Sequence, residues 1–218
     1  VNSINFARIA AQAVYYFTVA AALGAPGRAI NFVVPSGNFG DAFAGYVALR
    51  MGLPIKRIVV ATNSNDILAR AFQTGRYARG AVQATLSPAM DIQSASNFER
   101  LYFEAVQREP VETGRAFEAF ARTGAMDIPP GALSAMQAVF TGVAISEEET
   151  VRTIVSTLNE TGELIDPHTA VAVAALDHVA LEGPTVVLST AHPAKFPEDV
   201  AKACGVAPAL PRGAAILL

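Results

Sequence analysis

Three short apolar runs, each rich in β-branched residues, constrain the fold of this chain more than any other feature of the sequence. They are residues 29–35, 57–61 and 185–189. Runs of this length and composition are typical of strands buried on both faces of a parallel sheet. Helical periodicity precedes the first run and separates it from the second, as parallel strands with helical crossovers require. The sequence therefore predicts an α/β fold with a parallel sheet.

The predicted helices have recognisable ends. Ser146 followed by Glu149 is a capping-box pattern, and Gly162 is a typical signal just past a helix end. Pro167 suits the first turn of a helix that Asp166 introduces. The expected helices are residues 3–23, 41–51, 66–73, 97–123 and 146–160, with further helices from 166 and from 197. No repeat or flexible linker interrupts this series, so one domain is the simplest organisation.

Composition excludes several classes of protein. Of the 218 residues, 52% are apolar and 16% are charged, which is not the balance of a disordered chain. The net charge is −3 and the basic residues are scattered, which disfavours nucleic acid as a partner. Residues 9–23 are apolar but fall short of the ~20 residues of a membrane span. The single cysteine, Cys204, cannot form an internal disulfide, which favours a reducing, cytoplasmic location.

The most informative segment is the turn after the first apolar run, residues 36–41, which is Ser-Gly-Asn-Phe-Gly-Asp. Its glycines permit a ligand to approach the backbone closely, and the helix predicted to follow offers free N–H groups and a positive dipole end. That arrangement suits a phosphate group. The segment matches neither a Walker A loop nor G-x-G-x-x-G, which disfavours a dinucleotide.

Two features of this turn limit the phosphate interpretation. Glycines in a strand-to-helix turn are often only structural, and that alternative stays open. Asp41 also places a carboxylate in the first helical turn. It would compete with a bound phosphate unless it faces away and caps the helix.

Further blocks of sequence accompany the turn along the chain. They are residues 1–5, 15–17, 61–66, 85–92, 96–100, 165–171 and 190–196. Together with the turn, and in this order, they closely resemble threonine synthases, which are pyridoxal 5′-phosphate (PLP) enzymes of fold type II. The resemblance covers nearly the whole chain, and several ordered blocks are far more specific than one glycine-containing turn.

The resemblance implies a fold and an activity. The fold is the incomplete large domain of a tryptophan synthase β-like, fold type II enzyme. The activity is the conversion of O-phospho-L-homoserine and water to L-threonine and phosphate, by γ-elimination and then addition of water at Cβ. Residues 1–218 correspond to the C-terminal, cofactor-binding portion, and the chain opens at Val1 without a methionine. We therefore expect the N-terminal half of the same protein as a partner. The resemblance does not decide whether the chain also assembles into a homo-oligomer.

The resemblance also assigns the cofactor contacts. Backbone N–H groups of Gly37, Asn38, Phe39 and Gly40 bind the PLP phosphate, and Ser36 and Asp41 flank them. Thr190 supplies the hydroxyl that meets the pyridine nitrogen. Its place directly after the run at 185–189 fits, because ligands of α/β proteins bind at the carboxyl ends of strands.

No lysine of this chain matches the Schiff-base lysine of the family, which lies upstream in the family's order. Lys56 and Lys202 are expected to be solvated. Lys195 follows Thr190 closely, but the family does not use it. The chain alone is therefore expected to be inactive, and the alternative is a non-catalytic PLP- or phosphate-binding fragment or a lysine-less relative.

A polar cluster at the start of the chain has two interpretations. Asn2, Ser3, Asn5 and Arg8 either line the substrate side of the site, or Asn2 or Ser3 caps the first helix.

The remaining candidate side chains point to structural roles. His168 and His192 lack metal-ligand spacing, so no metal is expected. His192 either borders the cofactor or makes a structural hydrogen bond. Cys204 is expected to be a small buried side chain. The region of Asp91, Asn97 and Glu99 is a candidate for ordering a loop over the site.

Overall fold

The structure is a computed structural model that describes residues 4–211 and 213. Its strands are β1 (Ile30–Pro35), β2 (Ile55–Thr62), β3 (Arg76–Ala78), β4 (Ala125–Asp127), β5 (Phe140–Ala144) and β6 (Thr185–Val187). Its α-helices are α1 (Phe6–Ala22), α2 (Gly40–Arg50), α3 (Ile67–Thr74), α4 (Phe98–Ala105), α5 (Pro110–Thr123), α6 (Pro130–Gln137), α7 (Glu147–Thr161), α8 (Pro167–Ala174) and α9 (Pro197–Cys204). Short 3₁₀ turns lie at Pro88–Met90, Ala175–His178 and Pro193–Lys195.

Within the described residues, the main sheet is parallel and has the order β5-β2-β1-β6. The three predicted strands are all present, so the α/β fold with a parallel sheet is confirmed. The structure adds β5 at one edge and a separate antiparallel pair, β3 with β4. Both additions are short, and neither contains a long run of β-branched residues.

Alternate residues of the central strands pack against different helical layers. Phe32 and Val34 of β1 lie in a cluster with residues of α1 and α2. Val33 and, from β2, Val59 lie in a second cluster with α8. Because both faces of the sheet are covered, these strands have no polar face, which explains their continuous apolar sequence.

The helix ends were predicted with mixed success. The capping box of Ser146 and Glu149 is formed, and α7 ends at a left-handed Gly162 as expected. The continuous helix predicted over residues 97–123 is wrong, because the chain breaks between α4 and α5. Gln107 and Arg108 have φ values of 59° and 62° there. Pro110 disfavours helical geometry in the residue before it, which was the overlooked signal.

No helix among the described residues is both long enough and apolar enough to cross a membrane.

Candidate functional site

The carboxyl ends of the parallel strands carry the predicted site. Residues 36–40 follow β1, residues 63–66 follow β2, and residues 188–190 follow β6. Strands of one parallel sheet end at the same edge, so the topology brings these loops to one side of the molecule. The N-terminus of α8 lies next to the loop after β6, since the Thr169 hydroxyl is 3.2 Å from the Ser189 hydroxyl.

The turn between β1 and α2 presents free backbone donors. The N–H group of Ser36 still belongs to the sheet, because it donates to the Ala61 carbonyl at 2.8 Å. From Gly37 to Ala42, the N–H groups make no hydrogen bond with the described part of the chain, and no side chain there caps α2. Unpaired donors beside the positive end of a helix dipole are the arrangement that suits an anion, and anion binding at this turn stays a prediction.

Phe39 holds the turn in shape. Its φ of 62° lies in the left-handed region, which is unusual for a residue other than glycine. Its ring is buried, with centroids 5.5 to 5.9 Å from the rings of Phe72, Phe98 and Phe140. The packed ring therefore stabilises a backbone conformation that would otherwise be unfavourable.

Gly37 is needed because another segment lies against it. A Cβ atom at this position would lie 2.5 Å from the Ala89 carbonyl oxygen and 3.1 Å from the Met90 Cα. Close approach of two backbones is therefore the reason for this glycine.

Asn38 is held by the start of α4. Its carbonyl accepts hydrogen bonds from both the backbone and the side-chain amide of Asn97, each at 3.1 Å. Asp91 contacts the loop after β2, because its carboxylate accepts hydrogen bonds from the Asn63 side chain at 2.8 Å and the Asn65 side chain at 3.0 Å. Asp91 and Asn97 thus hold the loops at this edge by hydrogen bonds, and the ordering of a loop over the site stays a prediction.

Asp41 does not cap α2, so capping does not remove its competition with a bound phosphate. Tyr16 of α1 donates its hydroxyl to the Asp41 backbone carbonyl at 2.8 Å. Asp41 Oδ1 is buried and has no partner among the described residues. Burial raises the pKa of the Asp41 carboxyl to about 6, and the nearby Tyr16 hydroxyl and the charge of Arg8 oppose that rise. The carboxyl therefore loses its charge as pH falls through about 6.

Anion binding at this turn is expected to depend on the charge of Asp41. Sulfate keeps its charge between pH 5 and 8, so we expect its affinity to fall ~3- to 10-fold as pH rises through about 6 and Asp41 ionises. Asp41→Asn is expected to remove most of this pH dependence. Calorimetric titration with sulfate measures it, with the exposed Asp177→Asn as the control. If sulfate affinity depended on pH as strongly in Asp41→Asn as in the wild type, the prediction would be contradicted.

Thr190 lies at the same edge as the turn. Val33 of β1 pairs with Val187 of β6, and the Leu188 N–H group donates to the Val33 carbonyl at 2.9 Å. Thr190 follows two residues later and is exposed. Its hydroxyl makes no hydrogen bond with described residues. Its contact with a pyridine nitrogen stays a prediction.

The three lysines of the chain are exposed, unlike the desolvated lysine that would act as a nucleophile. Lys56 is exposed and pairs with Glu182 at 3.1 Å, and Lys202 is exposed too, as expected. Lys195 is also exposed and lies 5.6 Å from the Phe196 ring centroid. It lacks the desolvated surroundings that activate an amine.

The polar cluster at the start of the chain is only partly described. Asn2 and Ser3 lie outside the described residues. Asn5 caps α1 by accepting from the Ala7 N–H group at 2.9 Å, so the helix begins later than residue 3. Arg8 is exposed and acts electrostatically on Asp41. Contact of Asn5 or Arg8 with a substrate stays a prediction.

Sequence reasoning missed a buried pair, Asp166 and His168. Their side chains are joined by a 2.9 Å contact between Oδ1 and Nδ1. His168 Nε2 accepts from the Ala89 N–H group at 3.2 Å, so the ring proton lies on Nδ1. Burial raises the pKa of Asp166, but hydrogen bonds from His168 and Thr169 outweigh it and leave the pKa below its usual value.

The other candidates have structural roles. His192 Nδ1 accepts from the Ala194 N–H group at 3.1 Å, which confirms the structural alternative. Cys204 is half-buried rather than buried, and its thiol donates to the Val200 carbonyl. No group of three potential metal ligands occurs in the part of the chain that the structure describes.

Comparison with known proteins assigns the family. A family model described as "Threonine synthase, C-terminal" matches residues 169–218. Threonine synthase from Pseudomonas aeruginosa is 48% identical over 97% of this chain and 46% of the relative. A crystal structure of PLP-bound threonine synthase from Brucella melitensis is 50% identical, with a TM-score of 0.97 over 100% of this chain and 47% of that one. The chain belongs to the threonine synthase family.

The chain spans about half the length of the threonine synthases that it matches. The fold extends further than the family, because a bacterial threonine deaminase matches with a TM-score of 0.52 at only 16% identity. This confirms the fold type II architecture expected from the sequence.

Proposed function

We propose that this chain provides the cofactor-phosphate site of a threonine synthase, the enzyme that makes L-threonine and phosphate from O-phospho-L-homoserine and water. The observation that carries the proposal is the row of free N–H donors from Gly37 to Ala42 at the start of α2. Membership of the threonine synthase family supports it, as does the PLP-bound structure of the Brucella melitensis relative.

The residues at the turn fit the phosphate of PLP. The backbone donors of Gly37, Asn38, Phe39 and Gly40 match the charge and the small size of a phosphate group. The Ser36 hydroxyl is buried and has no partner among the described residues, so it is available as a further donor. Because burial raises the pKa of the Asp41 carboxyl to about 6, its repulsion of a bound phosphate is removed only below that pH.

The chain's own residues bind and orient the cofactor in this proposal. When bound, PLP supplies an electron sink for negative charge on the substrate carbons. The turn fixes the phosphate, and the Thr190 hydroxyl meets the pyridine nitrogen. A neutral hydroxyl there does not hold that nitrogen fully protonated, which suits controlled elimination.

We propose further that residues 1–218 form the C-terminal portion of the large domain and act together with an N-terminal half that supplies the covalent lysine. The chain's share of its relatives' length supports this. Phe6, Val14 and Tyr15 of α1 are each more than half exposed, which leaves an apolar face for that half to cover. The single cysteine favours a cytoplasmic location.

The relatives favour an enzyme over a non-catalytic fragment or a lysine-less relative, because the named homologues at 42–48% identity are threonine synthases.

The test has two stages. The chain is incubated with PLP, reduced with borohydride, and analysed by intact mass and peptide mapping. We expect PLP binding that inorganic phosphate competes away, without a stoichiometric adduct on Lys56, Lys195 or Lys202. Addition of the N-terminal half of the Pseudomonas aeruginosa relative is then expected to produce phosphate release from O-phospho-L-homoserine.

Two outcomes would overturn parts of the proposal. Absence of phosphate-competable PLP binding would remove the cofactor site. A stoichiometric adduct on Lys195 would show that the covalent lysine belongs to this chain.

A further inference from the structure

The buried pair of Asp166 and His168 has no assigned role in the proposed function. Asp166 is fully buried and His168 is 4% exposed. The pair lies at the start of α8, on the face of the sheet that packs against this helix. A buried carboxylate is unfavourable unless hydrogen bonds compensate for its desolvation. Asp166 accepts them from the His168 backbone at 2.9 Å, from the His168 ring at 2.9 Å and from Thr169.

The imidazole of His168 connects this carboxylate to the backbone that lies against the phosphate turn. With its proton on Nδ1, His168 has a free lone pair on Nε2, which accepts the Ala89 N–H group at 3.2 Å. The carbonyl oxygen of the same Ala89 occupies the space where a Cβ of Gly37 would lie. One residue therefore contacts His168 through its N–H group and Gly37 through its carbonyl.

The segment around Ala89 is held at other points as well. Met90 donates its N–H group to the Ser87 carbonyl at 2.9 Å within the 3₁₀ turn. The Ser87 hydroxyl accepts from the Asn63 side chain at 2.9 Å. From α8, His168 adds a hydrogen bond to Ala89, beside the packing of Met90 in the cluster that contains α8 residues.

The same carboxylate is connected to the other end of the site. Thr169 donates its hydroxyl to Asp166, and that hydroxyl lies 3.2 Å from the Ser189 hydroxyl. Ser189 directly precedes Thr190. Asp166 is therefore linked on one side to the phosphate turn and on the other to the residue expected to contact the pyridine ring.

We propose that His168 is a positioning residue for the cofactor-phosphate turn: oriented by Asp166, it holds Ala89 against Gly37 and so fixes the position of the N–H donors at 37–40. This inference rests on the proposed function, since the turn is taken to bind the PLP phosphate. His168 does not touch the cofactor in this role. It acts through the Ala89 backbone.

Two substitutions separate the acceptor on Nε2 from the rest of the ring. His168→Gln places a carbonyl oxygen near the position of Nε2 and retains an acceptor for Ala89. It loses the Nδ1 donor to Asp166, which keeps its hydrogen bonds from the backbone and from Thr169. His168→Asn reaches only as far as Nδ1, so it still contacts Asp166 but leaves the Ala89 N–H group without a partner. His178→Asn is the matched control, because His178 is exposed and pairs with Glu149 away from this site.

The readouts are hydrogen–deuterium exchange of the Ala89 amide and the Kd for PLP in the chain as it stands. In His168→Asn we expect Ala89 to exchange ~10-fold faster, as loss of one hydrogen bond implies, and PLP to bind ~10-fold more weakly. For His168→Gln, we expect the exchange rate and the Kd for PLP to stay within ~3-fold of the wild-type values. For His178→Asn, we expect both quantities to equal those of the wild type. A merely structural role would not produce this difference between Asn and Gln.

Each contrary outcome has a distinct meaning. If the wild type binds PLP and His168→Asn binds it equally well, the positioning role is wrong and the proposed function stands. Equal impairment of the Asn and Gln variants would also overturn the role of the acceptor. If the wild type shows no phosphate-competable PLP binding, the proposed function fails and this inference fails with it.

A measurement on the wild type covers the case in which His168→Asn does not fold. Nitrogen-15 chemical shifts of the imidazole distinguish its two tautomers. We expect Nδ1 to carry the proton and Nε2 to be unprotonated. The opposite tautomer would overturn the proposal, because Nε2 could not then accept from Ala89.

Discussion

Gly37→Ala is expected to weaken PLP binding at least ~100-fold while leaving the chain folded. The new Cβ would lie 2.5 Å from the Ala89 carbonyl oxygen, a distance at which one of the two backbones must move. The obstacle is backbone rather than the end of a flexible side chain, so a rotamer change cannot relieve it. Displacement of the turn misdirects several donors, and hydrogen bonds to a charged group contribute ~1.5–3 kcal/mol each. Loss of two such bonds accounts for the expected factor.

The measurement is a PLP titration combined with thermal unfolding. Gly131→Ala is the matched control, because nothing lies within 4 Å of a Cβ there and Gly131 does not have a left-handed φ. We expect the control to bind PLP within ~2-fold of the wild type, as surface substitutions away from special backbone features have small effects. PLP binding by Gly37→Ala close to that of the wild type would show that the turn tolerates displacement, and would contradict the assigned geometry.

Much of the fold follows from local sequence signals. β1 and β2 are apolar on both faces because each face packs against helices, and this produces a pattern that is visible in the sequence. The capping box at Ser146 and the left-handed Gly162 are equally local, since each depends on residues within one helical turn. Such features need no knowledge of distant contacts.

β5 shows where local signals fail. It has only five residues, Phe140–Ala144, and a glycine stands in its middle. Gly142 weakens the local strand signal. Its reason is tertiary, because a Cβ there would lie 2.7 Å from the Ala69 Cα of α3. The glycine in β5 is required by contact with a helix that is distant in sequence. A strand of this kind cannot be recognised from its own residues.

The candidate site also contains one part that local sequence predicts and another that depends on contacts between distant residues. The turn at 36–41 was identifiable because a strand, two glycines and a helix are contiguous. The connection from His168 to Ala89 spans 79 residues, and neither residue type signals it. Asp166 and Pro167 predict only a helix start, which the structure confirms. The sequence indicates a carboxylate in the first turn of α2, but the burial of Asp41 beside α1 depends on packing that the sequence does not display.

Asp166→Ala is expected to lower the free energy of unfolding by ~3–5 kcal/mol at pH 7, as the loss of two hydrogen bonds to a charged group at ~1.5–3 kcal/mol each implies. The carboxylate is fully buried and accepts hydrogen bonds from the His168 ring, from Thr169 and from the backbone at the start of α8. Its removal leaves these donors unpaired and deletes the helix cap. Urea unfolding measures the change, with the exposed Asp177→Ala as a control expected within ~0.5 kcal/mol of the wild type.

The stability difference between the wild type and Asp166→Ala is also expected to depend on pH. The pKa of Asp166 is lower in the folded chain than the ~3.9 of an unfolded aspartate, because its hydrogen bonds outweigh the effect of burial. Folding therefore favours the ionised form, and its stabilisation is fully present above ~pH 4 and is lost as pH falls through the lowered pKa. Repeated urea titrations toward acid should show the stability difference between the wild type and Asp166→Ala becoming smaller. A difference that stays constant into acid would mean that Asp166 stabilises the fold by packing alone, without its charge.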